Sequence, residues 1–482
     1  MSIYFFLLVG VIAAGIPLCS EKCGKKGRLI FCIAAAVVFT LISALRFQVG
    51  YDYNSYGGMY FNMKYMTFED IIATKTEKGF ILPLYVLNLA FEEYYVVFIY
   101  TSLIIYPAVF YLIYKNSSIP WISTAAFLCF GAFFNSLCFL RQFIAALLVT
   151  YAVQYLNKRK LWRFLVLSIA AATFHWSALI MLGMWLLLMI KPGKVYLSVI
   201  TAGTVIFCFV SRSLMYWAID NFDMDKSYNP DTTIEASQGL PLRYTIMFGI
   251  LFVIAFIFRK SLIERNPKNS VYINCLMYTV VFEAMGARHA ILSRFAILVY
   301  LPALLYLVPD MVVVVKEYIS EKFVSQEKRK RMFSIVSACA GSVMAAGCYV
   351  MLMLSNYNGV VPYVSQMNRS TDIFVEQISD EDTEEDWDAV DWDEEGYIDE
   401  EWEDEEWLDD EWEEEWSDSD FEDEEQLDSN NEEVSDVEVT DEDTSDEATN
   451  EELTDDNWDS EDWSDGEFDE EAFENEILSQ LQ

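Results

Sequence analysis

From Asp380 to Gln482 the chain contains no lysine or arginine, against 54 aspartates and glutamates. So charged a segment, poor in apolar side chains, cannot bury enough surface to offset the entropy of folding. It is expected to be a disordered acidic C-terminal tail. All 32 Lys and Arg lie before it with the remaining 20 acids, so the body carries +12. The net charge of −42 therefore averages two different polymers. Histidine is nearly absent, with two residues in 482, and the nine cysteines are scattered. Most of the cysteines fall inside apolar runs, where a thiol behaves as a small hydrophobe. Cys19 and Cys23 have metal-like spacing, but no second Cys/His pair completes a set, so no metal is expected. There is no P-loop and no dinucleotide glycine fingerprint, and no cofactor or nucleic acid is expected. The first apolar run, residues 3–19, lacks the basic leader of a signal peptide and precedes a positive loop and another span; it reads as a transmembrane helix.

What the body has in abundance is apolar sequence. Residues 28–45, 94–114, 195–211, 295–314 and 332–354 each approach or reach the roughly 17–25 residues needed to cross a bilayer core. They are too long and too uniformly apolar for barrel strands, and helices are the other way to satisfy every backbone amide in lipid. The expected fold is an all-α polytopic membrane protein of about twelve transmembrane or re-entrant helices. Residues 1–363 form the membrane domain, 364–379 a linker and 380–482 the tail.

Lys and Arg in short loops mark the cytoplasmic side. The basic loops are 22–28, 158–163, 191–194, 259–268 and 316–331. Keeping them all inside requires an even number of crossings between each pair. Five candidates separate the first two loops, and the weakest is 80–91, short and interrupted by Pro83. It is expected to be interfacial or re-entrant. Residues 161–190 are too few for two full crossings and are expected to form a hairpin of two short helices with His175 near the turn. This map puts both termini and the tail outside the cytoplasmic membrane.

The outward segments carry an unusual set of polar residues: Arg46, Asp52, Glu77, Arg141, Gln142, His175, Arg243, Arg288, His289 and Arg294. Singly, each has a plain reading, because an arginine at a helix end often snorkels to headgroups. As a set they oppose the positive-inside bias, and both histidines fall among them. Several guanidiniums around one cavity suit a diphosphate, since Arg binds phosphate oxygens in a bidentate fork and keeps its charge. Outside the cell the energy source cannot be ATP, which points to a lipid-linked diphosphate.

At these residues the sequence resembles the EpsG family, a branch of the Wzy-like exopolysaccharide polymerases. The matching pieces run in order: Leu45-Arg46-Phe47-Gln48-Val49-Gly50-Tyr51-Asp52-Tyr53-Asn54-Ser55-Tyr56, Glu77-Lys78-Gly79-Phe80, Leu140-Arg141-Gln142-Phe143-Ile144-Ala145, Tyr155 to Lys160, Ala170 to Ala178 around Phe174-His175-Trp176, Arg294-Phe295 and Val361-Pro362-Tyr363. They cover the membrane body and not the tail; Arg288-His289 falls outside the pattern. The resemblance implies a glycosyltransferase that joins oligosaccharide repeat units carried on undecaprenyl diphosphate, at the outer face of the cytoplasmic membrane, into exopolysaccharide or capsule. On that reading Arg46, Arg141 and Arg294, then Arg243, stabilise the departing lipid diphosphate. Asp52 and His175 are alternative bases for the attacking hydroxyl. Tyr51, Tyr53 and Tyr56 stack on sugars, while Gln142, Glu77 and Tyr363 line the substrate site. A flippase or exporter of lipid-linked saccharide, and a ligase to another acceptor, use similar chemistry and stay open. So does association with other polysaccharide-export proteins.

The tail has a rhythm of five, with Trp387, Trp392, Tyr397, Trp402, Trp407 and Trp412. Five matches neither a helix nor a strand period. Two readings stand: a relic of repeat expansion, or an array of aromatic stickers for a basic partner or divalent cations.

Overall fold

The computed structural model describes residues 2–156, 160–222, 240–286, 290–322 and 327–368. The acidic tail, Arg288 and His289, and most of the loop expected at 214–242 lie outside the described residues. Among the described residues there is no strand, only one isolated antiparallel bridge between Arg46 and Ser365.

The helices are α1 (Ser2–Leu18), α2 (Gly24–Ala44), α3 (Tyr53–Asn62), α4 (Phe68–Ala73), α5 (Lys78–Asn88) and α6 (Val96–Asn116). They continue as α7 (Pro120–Cys129), α8 (Ala132–Cys138), α9 (Leu140–Val153), α10 (Leu161–Ala172), α11 (Met181–Met189) and α12 (Lys194–Phe222). The last six are α13 (Leu240–Ile257), α14 (Arg259–Arg265), α15 (Asn269–Gly286), α16 (Ala290–Pro302), α17 (Val308–Lys322) and α18 (Glu327–Leu354).

Among the described residues, five stretches are long and apolar enough to cross a membrane: Gly24–Ala44, Val96–Asn116, Lys194–Ser211, Leu292–Lys322 and Ser334–Leu354. The bent pairs α7–α8 (60°) and α13–α14 (73°) raise this to seven if each is one span. The expected count of about twelve is not reached by full-length spans. The reason is length: α9 has 14 residues and α10 has 12. At 1.5 Å per residue they reach about 20 Å, short of the roughly 30 Å hydrocarbon core. The segment expected at 80–91 is α5, 11 residues with Pro83 inside, also too short to cross. Residues 161–190 form α10 and α11, with His175 between them.

Local chemistry explains several boundaries. Pro120 opens α7 at a position where a missing N–H costs nothing. Gly131, at φ 79°, takes the left-handed turn that breaks α7 from α8. Thr67 caps α4 in a reciprocal box, accepting from the Asp70 N–H at 3.2 Å while its own N–H donates to Asp70 Oδ2 at 2.6 Å.

The core is aromatic. Phe39 of α2 meets Phe110 of α6 and Phe133 of α8 edge to face, with centroids 5.2 and 5.1 Å apart. In lipid such packing stabilises through dispersion and shape rather than through removal of water. Apolar residues such as Phe6, Ile33, Val199, Ile206 and Val343 stay exposed, as a lipid-facing surface requires.

Helices α2 and α6 run antiparallel. Arg28 near the start of α2 donates to the carbonyl of Ser117, just past the end of α6. Arg46, past the other end of α2, lies over the ring of Phe98 near the start of α6. The two ends are thus separated by a full span.

Candidate functional site

At the Arg46 end the chain folds back on itself. Gly50, at φ 102°, holds a conformation that an L side chain rarely adopts. Its N–H donates to the Gly359 carbonyl at 3.0 Å, and the Tyr51 N–H to the Asn358 carbonyl at 3.2 Å. The Phe47 N–H donates to Val364 and the Gln366 N–H to Leu45. Residues 358–366 therefore strap the loop that carries Asp52.

Arg46 lies under this strap, fully buried. Its Nη1 donates to the Ser43 carbonyl at 2.7 Å and to Ser43 Oγ at 2.8 Å, and its Nη2 donates to the Leu137 carbonyl at 2.9 Å. Its guanidinium sits 4.5 Å from the centre of the Phe98 ring. Tyr53 stacks on that same ring at 4.1 Å and accepts from Gln366 at 2.7 Å. Tyr363 donates to the Ile42 carbonyl at 2.9 Å. These residues were expected to face substrate; here they join α2, α6, α8 and the strap. The apolar surroundings explain why: a buried guanidinium must spend its donors on carbonyls.

A second cluster lies where α3, α5, α9 and the α10–α11 turn meet. Glu77 precedes α5, and Gly79 brings that helix start against the α10–α11 turn. The Gly79 N–H donates to the Thr173 carbonyl at 2.8 Å. A Cβ there would stand 2.5 Å from the same oxygen. This close approach sets Glu77 beside His175, 98 positions away in sequence. Glu77 Oε1 pairs with His175 Nδ1 at 2.9 Å and accepts from the Trp176 N–H at 3.0 Å. Glu77 Oε2 accepts from Arg141 Nη1, in the first turn of α9, at 2.8 Å. Side chains of Glu77, His175 and Arg141 keep 11%, 18% and 20% of their surface exposed. The buried Tyr56 phenol also interacts with Arg141.

Burial alone would push the Glu77 carboxyl up. The His175 hydrogen bond and the Arg141 charge outweigh it, and the group falls to about 2. Asp52 shows the reverse balance. Burial dominates, Arg294 and Arg141 oppose it only in part, and its carboxyl is pushed up to about 6. Two carboxylates in one cluster thus separate into a fixed anion and a group able to exchange a proton near neutral pH.

Arg294, half-buried in α16, lies 5.6 Å from the centre of the Phe139 ring. Its backbone carbonyl accepts from Gln142 Nε2 at 2.7 Å, which ties α9 to α16. Gln142 is thereby a brace between helices. Arg243 is exposed in the first turn of α13, and Tyr51 is exposed by 72% with its ring against Gly359. The structure therefore brings together Asp52, Tyr56, Glu77, Arg141, His175 and Arg294. It places Arg46, Tyr53 and Tyr363 in the supporting framework.

Beside this cluster is a polar network that the sequence reading missed. Tyr357 and Asn358 donate to Asn135 Oδ1 at 2.6 and 2.9 Å, and Asn135 donates to the Tyr300 hydroxyl at 3.1 Å. Buried Glu283 of α15 is close enough to act electrostatically on Tyr244, Tyr300 and Tyr357. A carboxylate within an apolar run is a signal for function that could have found Glu283.

A sequence model of the EpsG family matches residues 29–365. The chain belongs to the EpsG family. The match begins inside α2 and ends in the strap, so it takes in the Glu77–Arg141–His175 cluster, Asp52 and Arg294, and stops short of the acidic tail. Family and apolar helices together make this EpsG chain a multi-pass membrane protein of polysaccharide biosynthesis. No curated protein and no solved structure matches it.

Proposed function

We propose that this EpsG-family protein polymerises lipid-linked oligosaccharide repeat units at the outer face of the cytoplasmic membrane. The observation that carries this reading is the shared carboxylate of Glu77, which binds both a histidine and an arginine. The donor is an oligosaccharide on undecaprenyl diphosphate. A hydroxyl of the next unit attacks the anomeric carbon, the bond to the diphosphate oxygen breaks, and the lipid diphosphate leaves with the electron pair.

Arg141 and Arg294 are suited to hold the departing diphosphate, as fixed cations in a partly dehydrated site. Glu77 orients rather than reacts. By accepting from Nδ1 it fixes the tautomer in which His175 Nε2 has a lone pair. That nitrogen, or the Asp52 carboxylate, takes the proton of the attacking hydroxyl. Arg46 has no part in the chemistry on this reading, because it is fully buried and both its Nη atoms are committed to Ser43 and Leu137.

The test is polymerisation of purified lipid-linked repeat units by the reconstituted protein, read as chain length. Arg141→Ala and His175→Ala should each leave mainly single units. Wild-type polymer from both variants overturns the assignment. Translocation of labelled single units by the wild-type protein, with no extension, supports a flippase instead.

A further inference from the structure

The opposite end of the bundle holds a polar cavity that this mechanism does not use. We propose that it binds a phosphate-bearing anion. The cavity measures about 780 Å³ and is lined by Lys25 and Arg28 of α2, Lys115 of α6 and Arg265 of α14, with Ser118 and Asp310 on its wall. A volume of this order suits a small organic ligand.

Four cations face one carboxylate in the lining, a balance of +3. Asp310 is already engaged, accepting from Asn269 Nδ2 at 3.0 Å and standing 4.0 Å from Arg265 Nε. Arg265 also pairs with Glu317 at 2.6 Å, which brings the surroundings to +2. The remaining charge has no partner of opposite sign in the lining. Two donors there are also unsatisfied: Arg28 Nε and Ser118 Oγ are buried with no hydrogen-bond partner among the described residues. Buried donors normally find acceptors, and a phosphate group supplies oxygens and charge together.

The cavity is remote from Glu77. Arg28 lies in the second turn of α2 and Arg46 just past its end, 18 positions on, or about 27 Å at 1.5 Å each. That is close to the thickness of a bilayer core. An occupant therefore meets the protein on the opposite side of the membrane from the proposed polymerase site. The occupant is the headgroup of an anionic lipid or a soluble phosphorylated molecule, and the two share this chemistry.

Lysine acetylation, followed by mass spectrometry on the full chain, separates these sources. In neutral detergent, inorganic diphosphate at about twice its dissociation constant or above should slow labelling of Lys25 and Lys115 by roughly threefold or more, with Lys191 unchanged. In nanodiscs, phosphatidylglycerol should give the same protection over phosphatidylcholine if the occupant is a lipid headgroup. Arg265→Gln, an exposed change, should weaken protection about tenfold in concentration. Arg28→Gln should do so too, and monodisperse elution checks that its lost bond to Ser117 has not unfolded the protein. Protection in either arm that Arg265→Gln reduces supports the site. Absence of protection in both arms, equal slowing at Lys191, or full protection in Arg265→Gln overturns it.

Discussion

Arg46 and Arg141 sit at the same end of the molecule and do opposite things. Arg46 is surrounded by backbone carbonyls and aromatic rings and has no exposed surface. Arg141 is held by a carboxylate that also holds a histidine, and a fifth of its side chain stays open. A fully buried cation whose two terminal nitrogens are held by Ser43 and by the Leu137 carbonyl stabilises a fold. A cation paired with a hydrogen-bonded carboxylate at a partly open surface is positioned for an incoming anion. The difference is one of partners rather than residue type, and substitution can separate the two roles.

The largest effect is expected at Glu77. Glu77→Ala removes the shared partner of Arg141 and His175, so polymerisation should fall by about 10²–10⁴-fold, in the range of lost acid–base and electrostatic catalysis. Thermal stability should also fall, because the carboxylate holds Arg141, His175 and the Trp176 N–H, but by far less than activity. Equal losses in stability and activity would make the cluster structural, like Arg46. Arg46→Ala should show the converse. It strands the buried carbonyls of Ser43 and Leu137, at a cost of roughly 2–5 kcal/mol. The protein should then extract poorly and melt early, and whatever remains folded should polymerise. A folded but inactive Arg46→Ala protein would return Arg46 to the site.

Gly79→Ala comes next. The added Cβ meets the Thr173 carbonyl, whose position is set by backbone. Relieving that contact costs on the order of 1–3 kcal/mol and shifts Glu77 away from His175. Activity should fall several-fold more than stability predicts, and chain-length analysis beside a melting curve reads both.

The pH profile distinguishes Asp52 from Glu77. With its carboxyl lowered to about 2, Glu77 contributes stability that is complete above its ordinary value near 4.5 and is lost as pH falls through about 2. It stays charged across the working range. Asp52, raised to about 6, is a base only above that pH. If Asp52 takes the proton, kcat/KM should fall tenfold per unit below about pH 6. In Asp52→Asn the rate should drop and that acid limb should vanish. A limb that persists unshifted in Asp52→Asn assigns the proton to another group.

Much of this end of the molecule was legible in the chain. The motif at 45–56, Glu77-Lys78-Gly79-Phe80, Arg141 and His175 all stand out as polar residues beside apolar runs. Their partners were not. Glu77 meets Arg141 across 64 positions and His175 across 98, beside an N–H···O bond between Gly79 and Thr173 that joins the same two segments. Nothing local marks that bond. Nor does sequence distinguish Arg46 from Arg141, since burial under the 358–366 strap is a tertiary fact. The count of about twelve is not confirmed, for a related reason. Hydropathy registers apolar length without seeing breaks such as Gly131, which divide a run into pieces too short to cross.

The smallest effect is expected from the tail. Its residues lie beyond the matched region, which ends at 365, and its acids outnumber its bases 54 to none. Charge at that density repels itself, and at about 0.15 M salt it acts over roughly 8 Å. Removing residues 380–482, which lie outside the family match, should leave the rate per repeat unit within about twofold, on the order of a screened electrostatic effect. Chain length, or its dependence on divalent cations, is where a difference should appear. A truncated protein that folds but does not polymerise would place part of the machinery in the tail, and the contrast between Arg46 and Arg141 would no longer account for the site.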